Sequence, residues 1–331
     1  MTYFSSPGKF LIVLDSELAF FQKSLHFLLN TKQKNASTKT SFEIDFDKNT
    51  TDSKGTPVGI LKMRHTESHS VISESSLTVS LQLDPPMETY NFYGWINIGQ
   101  LASALKRVQQ NDKLVFIAFD SDSSDNLIVR YEPHPNKPGM KSTILRDTIL
   151  KFTSHDEKPS EFFFDTEFAL HAQSVKYRFN IQPVEFSDNI SLIAIDKTAT
   201  DPNQKLDPEN QKVELEIYYV CPNFTWIKIV VANELSSSMC QMMCPNTVVP
   251  TDHKPMIQRD LIFQQPILFR SKYLHKRFAH FLSNFNDSAN VQINISDDPA
   301  APLYMIFFSD YVNDDKIQQF NYLKSIIVPQ Y

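Results

Sequence analysis

The second half of the chain repeats the layout of the first, and a repeat at about half the chain length constrains the fold more than any single motif. A short basic helical pattern at Leu101-Ala-Ser-Ala-Leu-Lys-Arg-Val runs through Asn111-Asp112 into the strand pattern Val115-Phe-Ile-Ala-Phe119. An acidic turn and a second strand pattern, Leu127-Ile-Val-Arg-Tyr131, follow. The same order returns from Tyr273-Leu-His-Lys-Arg-Phe-Ala-His through Asn286-Asp287 to Val291-Gln-Ile-Asn-Ile295, an acidic turn holding proline, and Leu303-Tyr-Met-Ile-Phe307. Val115 and Val291 lie 176 residues apart, and so do Leu127 and Leu303. Two consecutive strands at one fixed offset indicate a duplicated domain. With 331 residues, each copy has enough chain to bury its own core.

The patterns between these landmarks are mostly strands. Ser16 to Asn30 reads as an amphipathic helix, with Leu18, Phe21, Leu25 and Leu28 at spacings of three and four. Strands are expected at 41–46, 57–64, 76–83 and 90–95, then a helix from Ile98 to Gln109, the hairpin already described, and a strand within 141–152. The polar run 153–161 reads as the linker between domains spanning 1–152 and 162–331. In the second domain a short helix is expected near 172–181, ended by Pro183. Strands follow at 190–195, 213–220, 224–231 and 259–264, then a basic helix at 270–285 and a closing apolar segment at 320–329. The stretches 197–212 and 236–255 read as irregular insertions. Two helices and many antiparallel strands per copy make an α+β layout.

Charge is distributed unevenly. The net charge is −6, yet Gly99 to Gln110 holds Lys106 and Arg107 with no acid, and Arg270 to Phe285 holds Arg270, Lys272, Lys276 and Arg277 with no acid. Ala172 to Gln182 holds Lys176 and Arg178 without acid, and Ser16 to Lys34 holds three lysines, among them Lys23, against Glu17. Basic helices in an acidic chain present one positive surface to a polyanion while the rest stays negative.

These features resemble the proliferating cell nuclear antigen (PCNA) type of DNA polymerase sliding clamp. The resemblance rests on Glu88-Thr-Tyr, the run from Ile96 to Val108, Asn111-Asp112 with its hairpin, and Val291 to Phe307 with Ala301-Pro-Leu303. Phe320-Asn-Tyr-Leu323 and Val328-Pro329 complete it. It implies a ring-forming DNA clamp fold of two similar domains, each with two helices packed on antiparallel sheets, and a homotrimer around sequence-independent double-stranded DNA. Lys23, Lys106, Arg107, Lys176, Arg178, Lys272, Lys276 and Arg277 would face phosphate, to which lysine and arginine are drawn by charge without reading sequence. A partner-peptide groove would involve Phe152, Pro302, Ile326, Val328 and Pro329. Ring closure would use the strands 126–131 and 213–220. The implied partners are DNA polymerase, other replication and repair proteins with short clamp-binding peptides, and a clamp loader, in the nucleus or at a viral replication site. A subunit of a heteromeric checkpoint-type clamp and a monomeric or dimeric viral processivity factor are the alternative readings.

Catalysis finds no support in the sequence. Six glycines against nineteen prolines give no phosphate-cradling loop, and neither a nucleophile elbow nor a His-Glu-x-x-His pattern is present. Cys240 and Cys244, with Cys221 and His253, are too loosely spaced for zinc, and three cysteines in all fit reduced thiols. Asp120, Asp122 and Asp125 lack the glycine and glutamate of a calcium loop. No enzyme, no cofactor and no metal are expected. The five-residue apolar run Phe10 to Leu14 is too short for a signal peptide core, and no stretch reaches the length of a membrane span. A soluble intracellular protein is the expectation.

Overall fold

The computed structural model describes residues 8–14, 18–29, 39–51, 55, 57–68, 71–83, 86–106, 108, 112–119, 126–132, 146–155, 175–194, 212–220, 223–232, 237–246, 266–285, 290–308 and 321–329. Two compact units make up the chain. The first comprises residues 1–67, 73–164 and 308–323, and the second residues 68–72, 165–307 and 324–331.

The first unit runs β1 (Gly8–Leu14), α1 (Leu18–Leu29), β2 (Lys39–Thr51), β3 (Pro57–Ser68), β4 (Val71–Leu83), β5 (Thr89–Asn97), α2 (Ile98–Leu105), β6 (Lys113–Phe119), β7 (Asn126–Glu132) and β8 (Arg146–His155). The second runs β9 (Val175–Ile181), α3 (Pro183–Ala194), β10 (Lys212–Val220), β11 (Phe224–Ala232), β12 (Ser237–Pro245), β13 (Phe269–Leu274), α4 (His275–Leu282), β14 (Val291–Ser296), β15 (Leu303–Phe308) and β16 (Tyr322–Ile327). Both follow one order: a strand, a helix, four strands, a helix and three strands. Helices α2 and α4 begin at Ile98 and His275, 177 residues apart, so the duplication read from the hairpins extends through whole units.

Strands of the first unit lie in the order β1-β6-β7-β8-β5-β2-β3-β4, and β4 returns to pair with β1, so the eight strands close on themselves. Closure leaves few unpaired strand edges and directs alternate side chains inward. The interior is built from phenylalanine. Phe92 meets Phe10 edge-on at 5.0 Å and Phe152 at 5.6 Å, while Phe116 meets Phe21 at 5.5 Å. These ring pairs each add about 1 kcal/mol to the burial of their area. At the β5–α2 junction Asn97 caps the helix, its Oδ1 accepting from the Gln100 N–H at 3.0 Å.

A buried polar cluster fixes residues 321 and 322 within this unit. The Arg64 guanidinium and Glu74 carboxylate, 7% and 4% exposed, form an ion pair in which Arg64 Nε donates to Glu74 Oε2 at 2.8 Å. Tyr322 donates its hydroxyl to Glu74 Oε1 at 2.6 Å, and Asn321 Oδ1 accepts from the Thr78 N–H at 2.6 Å.

In the second unit β12-β11-β10-β13 form a four-stranded sheet, and β16, β15, β14 and β9 follow one another in a second run. A single bridge, Phe179 with Asn246, links the ends at β9 and β12. Phe186 of α3 stacks on Phe278 of α4 at 5.9 Å, and Phe278 meets Tyr273 at 5.7 Å.

Several expected elements differ from the structure. The segment expected as a helix near 172–181 is strand β9, because Tyr177, Phe179 and Ile181 are buried while Lys176 and Arg178 are exposed, a period of two. Pro183 opens a helix rather than ending one. It occupies the first helical position, where the missing N–H costs nothing, and α3 replaces the strand expected at 190–195. The basic segment 270–285 starts as strand β13, with Phe269, Ser271 and Tyr273 buried between exposed Arg270 and Lys272, and turns helical at His275. The irregular stretch 236–255 contains β12. Helix α2 ends at Leu105, short of the expected Gln109. Strand β8 carries through Thr153, Ser154 and His155, which pair with β5, so three residues assigned to the linker 153–161 are sheet. The rest of that linker, the insertion 197–211 and the strand expected at 259–264 lie outside the described residues.

Replacing Tyr322 by Phe removes one hydrogen bond to a buried carboxylate. A loss of about 2 kcal/mol is expected from urea unfolding at pH 7; an unchanged midpoint would show that the cluster does not hold residues 321 and 322.

Candidate nucleic-acid interface and partner groove

The eight cationic candidates divide by the elements that carry them. Lys23 sits half-buried on α1, and burial pushes its amine below the usual lysine range. Lys106 is exposed at the C-terminal cap of α2, its N–H directed to the Ser103 carbonyl. There its charge also suits the negative end of the helix dipole. Lys276 and Arg277 lie on α4, and burial lowers the Arg277 pKa, as it does that of neighbouring His275. Arg107 lies outside the described residues.

The other three are strand residues. Lys176 and Arg178 project from β9, where Arg178 Nε donates to Asn294 Oδ1 at 3.0 Å and the Lys176 amine lies 5.5 Å from the Tyr177 ring centre. Lys272 lies on β13 and pairs with Glu214 at 3.3 Å. The helix corresponding to α1 in the second unit, α3, has no Lys or Arg and exposes Glu185 and Asp188. Four basic helices are therefore not present. The positive helical positions described are Lys23, Lys106, Lys276 and Arg277, carried by three helices.

The groove candidates are more closed than a docking floor requires. Pro302, Ile326 and Pro329 are buried in the second unit, and Ile326 is 3% exposed. Val328 alone among them is partly accessible. In the first unit Phe152 is core, packed on Phe92.

Neither strand expected to close a ring has a free edge. Strand β7, with 126–131, lies between β6 and β8, and β10, with 213–220, lies between β11 and β13. Free edges are found elsewhere. Among the described residues strand β12 pairs along its length with β11 alone, and Met239 and Met243 on it are exposed. Strand β8 changes partner along its length: residues 146–151 pair with β7 and 152–155 with β5. Ile149, in the part paired only with β7, is 64% exposed.

Sequence reading also passed over a charged ladder on the four-stranded sheet. Glu216 Oε2 accepts from the Tyr218 hydroxyl at 2.7 Å and pairs with Lys228 at 3.1 Å, while Oε1 accepts from Arg270 Nε at 2.7 Å. Burial works to raise the Glu216 pKa, but the hydrogen bonds from Tyr218, Lys228 and Arg270 outweigh it and hold the carboxyl below its usual value. The alternation of Glu214, Glu216 and Tyr218 was the available signal, but it names no cross-strand partners. Cys244 is buried and its thiol is pushed up to about 12 by desolvation, then by Glu185 and Cys240, which leaves it inert. No metal-binding group of His, Cys, Asp or Glu occurs among the described residues, and Cys221 and His253 lie outside them. No described helix is long and apolar enough to cross a membrane.

Compared by sequence, the chain matches no family model and no curated protein. Compared by structure, it superposes on A. fulgidus PCNA bound to the C-terminal region of FEN-1 over 97% of this chain and 98% of that one. The TM-score is 0.54 at 10% identity. The fold is that of PCNA. A second PCNA, from Thermococcus kodakaraensis, matches over 97% of this chain and all of its own, with TM-score 0.53 and 11% identity. The clamp fold accounts for the duplicated units, their antiparallel sheets and their paired helices, since both matches span essentially the whole chain.

Glu216 supplies a pH test. A carboxylate whose folded pKa lies below its unfolded value of about 4.3 adds stability that is present above that value and is lost as pH falls through the folded pKa. Glu216→Gln is expected to be less stable than the native chain in urea at pH 7, with the gap closing below about pH 4. A gap unchanged down to pH 3 would contradict the charge-assisted role.

Proposed function

We propose that this chain is a DNA sliding clamp that encircles duplex DNA as a homotrimer and tethers DNA polymerase and other replication and repair proteins. The reading is carried by the end-to-end match of a duplicated two-unit chain to PCNA at similar length on both sides. The clamp holds its partners and transforms nothing, and it is placed by a clamp loader. DNA is held sequence-independently by Lys23, Lys106, Lys276 and Arg277, with Arg107 beside them in sequence, and Lys106 and Lys276 contribute most. Lys176, Arg178 and Lys272 lie on strands and play a lesser part. One structural neighbour carries the C-terminal region of FEN-1, which favours docking of a partner's terminal peptide. Val328, beside Pro302, Ile326 and Pro329, is its contact, and Phe152 supports the start of the linker. The working site is the nucleus or a viral replication compartment.

Ring closure joins β8 of one copy to β12 of the next. Among the described residues each presents a backbone edge without a strand partner, and each carries an exposed apolar side chain, Ile149 on one and Met239 and Met243 on the other. Pairing two different edges is a heterologous contact, which closes into a ring when the rotation per subunit permits.

Light scattering after gel filtration is expected to give three times the 38.2 kDa chain mass, and Ile149→Asp to give monomer. A native monomer at micromolar concentration would favour a heteromeric clamp subunit or a monomeric processivity factor. The double variant Lys106→Glu, Lys276→Glu is expected to assemble normally yet lose retention on closed circular DNA. Undiminished retention would sink the helix assignment.

A further inference from the structure

On the four-stranded sheet of the second unit, the face turned away from the core carries a second apolar surface. Val213, Leu215, Ile217, Ile227, Ile229 and Val231 fill one face and are buried. The alternate residues lie on the other in three cross-strand rows fixed by register. One row is Met243, Trp226 and Tyr219, the next is Gln241, Lys228, Glu216 and Arg270, and the third is Met239, Val230, Glu214 and Lys272. A register shift between Ile217 and Tyr219 brings Tyr218 beside the first row, where it packs with Trp226 and Tyr219. Leu268, whose N–H donates to the Ile217 carbonyl, flanks the same row and is 50% exposed.

An antiparallel sheet with one buried face normally turns polar residues to water on the other. Here Tyr218 and Trp226 are buried, 7% and 9% exposed, and the accessible apolar side chains are two methionines, 63% and 47% exposed, and Leu268. Flexible thioethers beside aromatic rings suit an adaptable protein-binding surface. The charges beside it are unequal in reach. Arg270 and Lys272 are 53% and 51% exposed, whereas their carboxylate partners Glu216 and Glu214 are 2% and 21% exposed. Lys228, 20% exposed, is as withdrawn as Glu214, so Arg270 and Lys272 set the accessible charge of this face as positive, although the chain as a whole is acidic.

We propose that this face docks a segment of a partner protein that presents apolar side chains to Met243 and Leu268 and carboxylates to Arg270 and Lys272. The surface is separate from Val328 and its neighbours; Met243 at its β12 margin also belongs to the proposed ring contact, so the test reads Leu268 and Lys272, which do not.

The test pans a phage-displayed random dodecapeptide library on the full chain and measures synthetic versions of the selected peptides by fluorescence polarisation. Selected peptides should combine Leu, Phe, Trp or Met with Asp or Glu. Leu268→Glu should weaken them by at least about tenfold, as expected for loss of a central apolar anchor. Lys272→Glu should weaken them several-fold, and both variants should keep the native near-ultraviolet circular dichroism. Peptides without carboxylates, peptides indifferent to both substitutions, or no selected peptide would overturn the proposal. So would a fall in assembly mass on Leu268→Glu, which would assign the face to a second copy of the chain.

Discussion

The backbone hydrogen bond between neighbouring strands is the interaction on which the rest of this molecule depends. In the first unit it is satisfied around eight strands that return on themselves, with β1 paired to both β4 and β6. In the second unit the matching junctions are thinner among the described residues: there β9 and β12 share only the Phe179–Asn246 bridge, and β13 pairs with β10 alone. Two copies of one topology thus differ in how completely they use their edges. An edge left open by the fold is a demand for a partner, since unpaired donors and acceptors template strand addition.

Much of this was legible in the chain. Alternating apolar residues located β6, β7, β10, β11, β14 and β15, and the stripe through Leu18, Phe21, Leu25 and Leu28 located α1. Where cations entered an alternating pattern the reading failed. Lys176 and Arg178 made β9 look like a basic helix, although Tyr177, Phe179 and Ile181 were buried at a period of two. Pro183 reads as a stop, but proline is tolerated at the start of a helix as readily as it forbids the middle. Edge status was not legible at all. Residues 126–131 and 213–220 read as good strands, and only topology shows that both have neighbours on each side.

The site was legible in part for a related reason. Sequence reports which residues are charged, whereas burial and cross-strand register decide which charges are accessible. Lys272 reads as a helix cation and is instead half of a sheet ion pair with Glu214. Ile326 and Pro302 read as a groove floor, yet both are buried. Lys106 kept its place because a helix cap is set by local chemistry, here the Asn97 cap that fixes the start of α2.

The Arg64–Glu74–Tyr322 cluster bears on how the protein is made. Glu74 and Thr78 of the first unit wait on Tyr322 and Asn321, 248 and 243 residues further along the chain. Domains tend to fold from the N-terminus as they leave the ribosome. Here the unit that is synthesised first receives its last segment only after residues 165–307 of the second have been made. Until residues 321 and 322 have been translated, a buried carboxylate and a strand N–H lack their final partners. The nascent first unit therefore stays an unfinished intermediate throughout translation of residues 165–307, which build the second unit.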